Sequence, residues 1–258
     1  MTTAPVTPIL GSSHDRTDTA KGRTYRWKEE TFASVTTIIG GGVPKPALLP
    51  WGIGMVAQAA ADLYASGEFH RLMARNPKEA IARLKAAPYD KREKAANLGS
   101  AIHQAAEDRI LGKVHYPDAA ARPYVAQFER FLAEHQPVYH AAECTVYSRA
   151  HQYAGTLDAI VEIAGKHLLI DYKSSGSGVY AEAVLQLAAY RYAEFVGLPD
   201  GSEIPVPATD GAAVLWIKPD SYSLIPARAD REAFGYFQHA RQVYAWAQVG
   251  KSFLEVAS

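Results

Sequence analysis

An α/β fold is what this sequence predicts: a mixed β-sheet flanked by helices, with a helical N-terminal part. Three observations support it. From about residue 45 to 136 the apolar residues recur at helical spacing, as in the stretches 51–66 and 90–111. After Pro137 the pattern changes to short apolar runs bounded by turn residues, giving the order β-β-β-α-β-β-α. The closing stretch 230–249 returns to an amphipathic helical period.

The elements follow in order. Residues 1–20 are rich in Thr, Pro, Ser and Gly without an apolar period, and are expected to be a flexible tail. Alternation through Tyr25, Trp27, Phe32, Val35 and Ile38 suggests a short hairpin, and Gly40-Gly41-Gly42 with Pro44, Pro46 and Pro50 a loop. A buried helix is expected over 51–66. A second should start at an Asn76 N-cap, with Pro77 in its first turn and Glu79 at the capping-box position, and run to about 87. Beyond Pro88 a third helix, about 90–111, carries Gly99, His103 and Glu107 at four-residue steps on one face. Pro123 opens a further helix with the apolar stripe Tyr124, Val125, Phe128, Phe131 and Leu132. Strands are expected over about 140–148, 155–163 and 167–173, with turns near 150–153 and at Gly165-Lys166. A helix over 179–196, a Pro-rich connection over 201–213, the strands AAVLWIKP and SYSLIPA, and a helix over 230–249 stopped by Gly250 complete the chain. One domain is expected over 21–258, helical over about 45–136 and sheet-bearing over about 137–258.

Composition narrows the function classes. With 48% hydrophobic and 21% charged residues among 258, the chain has an ordinary soluble balance and can bury a sizeable core. It lacks an apolar run of membrane-spanning length and a signal-peptide pattern near Met1, so a cytoplasmic protein without membrane partners is expected. The single cysteine, Cys144, excludes an internal disulfide and an all-cysteine iron–sulfur cluster. Lys plus Arg equals Asp plus Glu at 27 each, which is not the footprint of a protein that coats nucleic acid. A local basic groove opposite an acidic site would cancel in that sum. The absence of GxxxxGK[ST] argues against an ATP-driven helicase.

The chemistry concentrates between Gly155 and Tyr192. Asp171 ends the apolar run Leu168-Leu169-Ile170, and a carboxylate and a lysine at the end of a buried strand are costly unless paired or bound to an ion. Lys173 points to the same side as Asp171, and Asp158 closes the preceding strand's apolar run. Mg²⁺ suits such carboxylates, because it takes oxygen ligands and keeps waters that can attack a phosphate. Lys173 could position that water or neutralise the transition state. A buried Asp171–Lys173 salt bridge, with Asp158 as a turn residue, fits the spacing equally well. Gln186 and Tyr190 stand one helical turn apart, and periodicity alone reads them as polar surface and core.

Asp158…Asp171-Tyr172-Lys173 resembles the D…(D/E)xK signature of the PD-(D/E)xK nuclease superfamily. Three further stretches are similar to its RecB-type branch: Gly155-Thr156-Leu157-Asp158, the QxxxY motif Gln186…Tyr190, and Leu98-Gly99-Ser100-Ala101-Ile102-His103, a helical motif ending in a metal-binding histidine. The segment from Ser34 to Ile38, with Pro44-Lys45-Pro46 and Trp51, is similar to the opening of phage RecB-like exonucleases and of the mitochondrial genome maintenance exonuclease group. Together the resemblance spans about residues 25–195. It departs from the CRISPR-associated members in lacking the four cysteines of their iron–sulfur cluster.

The resemblance implies a restriction-endonuclease-like core. It implies Mg²⁺ or Mn²⁺ held by His103, Asp158, Asp171 and the carbonyl of Tyr172, with Lys173 at the water. It places Gln186 and Tyr190 on the DNA, with Ser174, Ser175 and Arg149 as further phosphate contacts. Glu143 would be a ligand to a second metal, an acid supporting the first, or an exposed strand residue. The activity implied is a DNA exonuclease leaving 5′-phosphates, acting on single strands or duplex ends in recombination, replication or repair, in a bacterial or phage-infected cytoplasm. A recombination annealing protein, a single-strand binding protein or a helicase would be its partners. A structure-specific endonuclease and a catalytically silent DNA-end-binding module are the alternatives.

Overall fold

The computed structural model describes residues 9–11, 15–19, 22–114 and 116–254. The chain divides into two compact units, Pro44–Ser100 and Met1–Val43 with Ala101–Ser258. Among the described residues no helix is long and apolar enough to cross a membrane.

The unit Pro44–Ser100 is helical. It holds α1 (Leu48–Ala65), α2 (Glu68–Arg75) and the first part of α3 (Pro77–Ile110). Asn76 caps α3 as its sequence suggests, Oδ1 accepting from the Glu79 N–H at 3.3 Å. The helix does not stop before Pro88 but runs through it. Proline removes one backbone donor, and the surrounding Ala, Lys, Arg and Glu are strong helix formers that carry the segment across.

The other unit contains an 11-stranded mixed sheet, mostly antiparallel, flanked by helices. At one side a meander forms from β2 (Asp15–Thr19), β3 (Gly22–Trp27) and β4 (Glu30–Ser34). The centre holds β5 (Val138–Ser148), β6 (Tyr153–Ile163) and β7 (Lys166–Lys173), each antiparallel to the next. β10 (Gly211–Ile217) lies parallel to β7, and β11 (Tyr222–Ala227) pairs antiparallel with β10. β1 (Ile9–Leu10) and β8 (Phe195–Gly197) both pair with β5, and β9 (Glu203–Pro205) with β8. The β6–β7 turn is Ala164-Gly165, both at positive φ, one residue earlier than expected and suited to a two-residue hairpin.

The flanking helices are α4 (Val35–Gly42), α5 (Arg122–His135), α6 (Glu182–Arg191) and α7 (Arg231–Val249). In α5, Phe128 and Phe131 are buried, and Phe128 meets Tyr172 edge-on at 5.5 Å. A core of Val35, Ile38, Leu157, Leu187, Val196 and Phe237 lies beneath α4, α6 and α7. A second, aromatic cluster joins Tyr25, Trp27, Phe32, Tyr147 and Phe195, with the Tyr147 and Phe195 rings stacked at 5.2 Å.

Several expectations are corrected. Residues 40–42 form the last turn of α4 rather than a loop. A Cβ on Gly42 would lie 2.0 Å from the Ala240 carbonyl oxygen, so the glycine lets α4 approach α7 closely. The burial of Val35, Ile38 and Ile39 outweighs glycine's poor helix propensity. The helix expected over 179–196 is only α6. Phe195 and Val196 leave it to pair with β5 and enter the core, where aromatic and β-branched residues favour strand. Within the expected tail, Ile9–Leu10 and Asp15–Thr19 are strands because β5 and β3 offer them backbone partners; the rest of 1–20 apart from Gly11 lies outside the described residues. The last helix does end at Val249 with Gly250 as its C-cap, as expected; Gly250 has φ −52° and leads into a 3₁₀ turn, Gly250–Phe253.

Candidate metal centre

The centre lies where the sheet forks. β6 is paired with β5 along its length, but on its other side it meets β4 only at Tyr153 and Ala154 and β7 only from Ala159 to Ile163. Residues 155–158, the GTLD stretch, span the gap. Gly155 is required there by Tyr190, because a Cβ would stand 2.5 Å from that ring's Cε1. Tyr25 OH, Thr156 Oγ1 and Thr145 Oγ1 form a hydrogen-bonded row at 3.2 and 3.3 Å, a polar lining that motif reading overlooked although Thr156 lies within the motif.

Asp158 sits one step beyond the Ala159↔Ile170 pair, across from Asp171. Its Oδ2 accepts the Tyr172 backbone N–H at 2.6 Å. His103, on α3, places Nε2 3.1 Å from the Tyr172 carbonyl oxygen and Nδ1 3.5 Å from Asp158 Oδ1. Glu143 lies between the pairs Ala142↔Ala159 and Cys144↔Leu157 with φ +51°, a left-handed backbone that breaks the alternation of β5. Ligand atoms of His103, Glu143 and Asp158 all fall within 4.8 Å of one another. Glu143 is therefore a member of the cluster, not an exposed strand residue. Burial, reinforced by the charges of Asp158 and Glu107, pushes its carboxyl up to about 9.

Asp171 is buried beside this cluster. Burial pushes it up to about 6, with Lys173 opposing and Asp158 reinforcing the rise. The Lys173 ammonium lies 2.7 Å from Oδ1 and 2.6 Å from Oδ2, and only the Oδ1 contact has hydrogen-bonding geometry. Burial would lower the lysine, but the charges of Asp171 and Asp158 outweigh it and hold it above its ordinary value, so the ammonium stays charged. Gln186 Nε2 donates to Asp171 Oδ1 at 2.9 Å and also lies 3.3 Å from Tyr190 OH. Tyr190 is 3% exposed, which leaves it no face for stacking on a base. Gln186 thus links the Asp171 carboxylate to the Tyr190 hydroxyl.

The remaining residues are less central. Ser174 is half-buried after β7; Ser175 Oγ bonds the Ser177 hydroxyl at 2.9 Å and its carbonyl accepts from Trp216 Nε1 at 2.8 Å, a turn role. Arg149, expected as a phosphate contact, is held in a structural tie. It donates to Glu30 at 2.6 Å and to both Glu203 oxygens at 2.8 Å, and its guanidinium lies 4.3 Å from the Phe195 ring centroid. These bonds, with one from Trp27, hold Glu203 well below the ordinary glutamate value of 4.5. The tie therefore contributes stability above that value and loses it as pH falls through the folded-state value. Glu203→Gln is expected to destabilise by about 1 kcal/mol at pH 7, discounted for partial exposure, and to flatten the acid limb of a urea-stability profile against pH.

The donor set fits a divalent cation. The Glu143 and Asp158 carboxylates, the Tyr172 carbonyl and the His103 imidazole converge, while the neighbouring Asp171 carboxylate is paired with the Lys173 ammonium. Oxygen-rich donors with one histidine accommodate Mg²⁺ or Mn²⁺.

No family model matches the chain, and no curated protein matches it. Among solved structures, one described as "Crystal structure of SSO0001" is similar over 63% of this chain and 71% of its own, at 14% identity and a TM-score of 0.27.

Proposed function

We propose that the chain is a metal-dependent DNA nuclease of the RecB-type branch of the PD-(D/E)xK superfamily, with a restriction-endonuclease-like core. We further infer that it acts as an exonuclease on single strands or duplex ends and leaves 5′-phosphates. The observation that carries this reading is the meeting of His103, Glu143, Asp158 and the Tyr172 carbonyl at the fork of the sheet, beside a buried Asp171 paired with the half-buried Lys173.

His103, Asp158, Asp171 and the Tyr172 carbonyl would hold Mg²⁺ or Mn²⁺, with Glu143 adjoining. Such an ion polarises a phosphoryl oxygen and acidifies a bound water. The chain's own groups do the rest. Lys173, kept charged by its neighbours, offsets negative charge building on the phosphate. Gln186 fixes the carboxylate of Asp171, and Tyr190 holds Gln186 in place.

The test is a time course on end-labelled single- and double-stranded DNA in Mg²⁺, Mn²⁺ and EDTA. Shortening from the ends that EDTA abolishes is the expected result. Cleavage of covalently closed circles would replace the exonuclease with an endonuclease, and binding without turnover in either metal would reduce the protein to an end-binding module. His103→Ala is expected to raise the Mn²⁺ concentration for half-maximal activity at least about tenfold, read from a metal titration of the rate.

A further inference from the structure

A second cluster lies on the same three strands. His140 on β5, Glu162 on β6 and His167 on β7 bring their ligand atoms within 4.8 Å of one another. Glu162 and His167 are a directly opposed pair, one step inside the Ala164-Gly165 turn. His140 is the extra residue of a bulge, skipped between the pairs Tyr139↔Val161 and Ala141↔Ile160. That irregularity brings its ring to 4.5 Å from the His167 ring, centroid to centroid.

The distances suit an ion better than hydrogen bonds. Glu162 Oε2 is 3.7 Å from His140 Nε2 and 3.6 Å from His167 Nε2, beyond hydrogen-bonding range. Donors bound at about 2.0–2.2 Å to one tetrahedral zinc stand roughly 3.4 Å apart. His140 Nε2 is buried and has no hydrogen-bond partner, a costly state for a ring nitrogen that a ligand bond would relieve. Two imidazoles and one carboxylate favour zinc and its first-row neighbours over Mg²⁺. The Glu162 and His167 side chains are 40% and 46% exposed, giving an ion in solution a route to the cluster.

We propose that His140, Glu162 and His167 form a separate site for a Zn²⁺-class ion, independent of the nuclease reading. His140 precedes Glu143 by three residues, Glu162 follows Asp158 by four, and His167 precedes Asp171 by four. At the strand rise these steps are about 10–13 Å. The ion would therefore clip together the three strands that carry the carboxylates of the first centre.

The experiment uses the full chain, stripped with EDTA, carrying His103→Ala and Asp158→Asn to disable the first centre. Titration with ZnSO₄ by calorimetry, and with Co²⁺ by visible absorption, is expected to give one ion per chain. Zn²⁺ should also raise the Tm of this protein. Adding His140→Ala is expected to weaken binding at least about a hundredfold and abolish the Tm rise. His167→Gln, at an exposed position, provides the same test if His140→Ala folds poorly. Absence of Zn²⁺ binding at up to about 1 mM, or equal binding after either histidine is replaced, overturns the proposal.

Discussion

Lys173→Met and Asp171→Asn should each cut metal-dependent DNA hydrolysis by on the order of 10³-fold while leaving a folded protein. The magnitude follows from where the two groups sit. Asp171 is 2% exposed, beside Asp158 and one residue from the Tyr172 carbonyl, so it cannot be replaced by solvent. Asparagine keeps the shape and can still accept from Gln186, but carries no charge for a cation or for Lys173. Methionine at 173 keeps the aliphatic packing of the lysine stem and removes the ammonium. Asp171, already pushed up to about 6 by burial, can then take a proton instead of remaining a buried unpaired charge. Initial rates on end-labelled DNA, with thermal melts on the same samples, check the expectation. Rates within about tenfold of the parent protein, with unchanged melting, would remove both residues from the chemistry and with them the nuclease reading.

Gly42→Ala should produce the largest loss of stability, about 3 kcal/mol in urea unfolding. The new methyl would stand 2.0 Å from the Ala240 carbonyl oxygen, 2.7 Å from its carbon and 3.0 Å from its Cα. All three are backbone atoms of α7, so no rotamer change relieves the clash and the helices must separate. Gly40→Ala is the internal control. It sits in the same helix with nothing within 4 Å of the added Cβ, and should stabilise by about 0.5–1 kcal/mol through helix propensity. Equal effects of the two substitutions would show that the α4–α7 approach is not tightly packed.

These two cases also mark what the sequence could and could not reveal. The strands β5, β6 and β7 were legible because apolar runs and turn residues bound each of them, and Asp158, Asp171 and Lys173 stood out as charges ending such runs. The α4 helix was not legible, because β-branched Val35, Thr36, Thr37, Ile38 and Ile39 followed by three glycines describe a strand and a loop. Burial of Val35, Ile38 and Ile39 in the core makes that segment helical. Pro88 likewise signals a helix end, a local penalty that the flanking helix formers override. The left-handed backbone of Glu143 and the bulge at His140 decide which side chains meet, and neither has a local mark in the sequence. His140, Glu162 and His167 become neighbours only through strand register. The polar row Tyr25–Thr156–Thr145 depends on register in the same way.

The division of the chain also orders its synthesis. Pro44–Ser100 is continuous and is made early, whereas the sheet of the other unit is complete only once β11, ending at Ala227, has been made. α3 begins in the early unit and ends in the late one, with His103 near its C-terminal end. His103 is therefore made more than fifty residues ahead of Asp158 and Asp171. The centre needs the β6–β7 hairpin, so chains truncated before Asp171 carry the histidine without its full set of carboxylate neighbours.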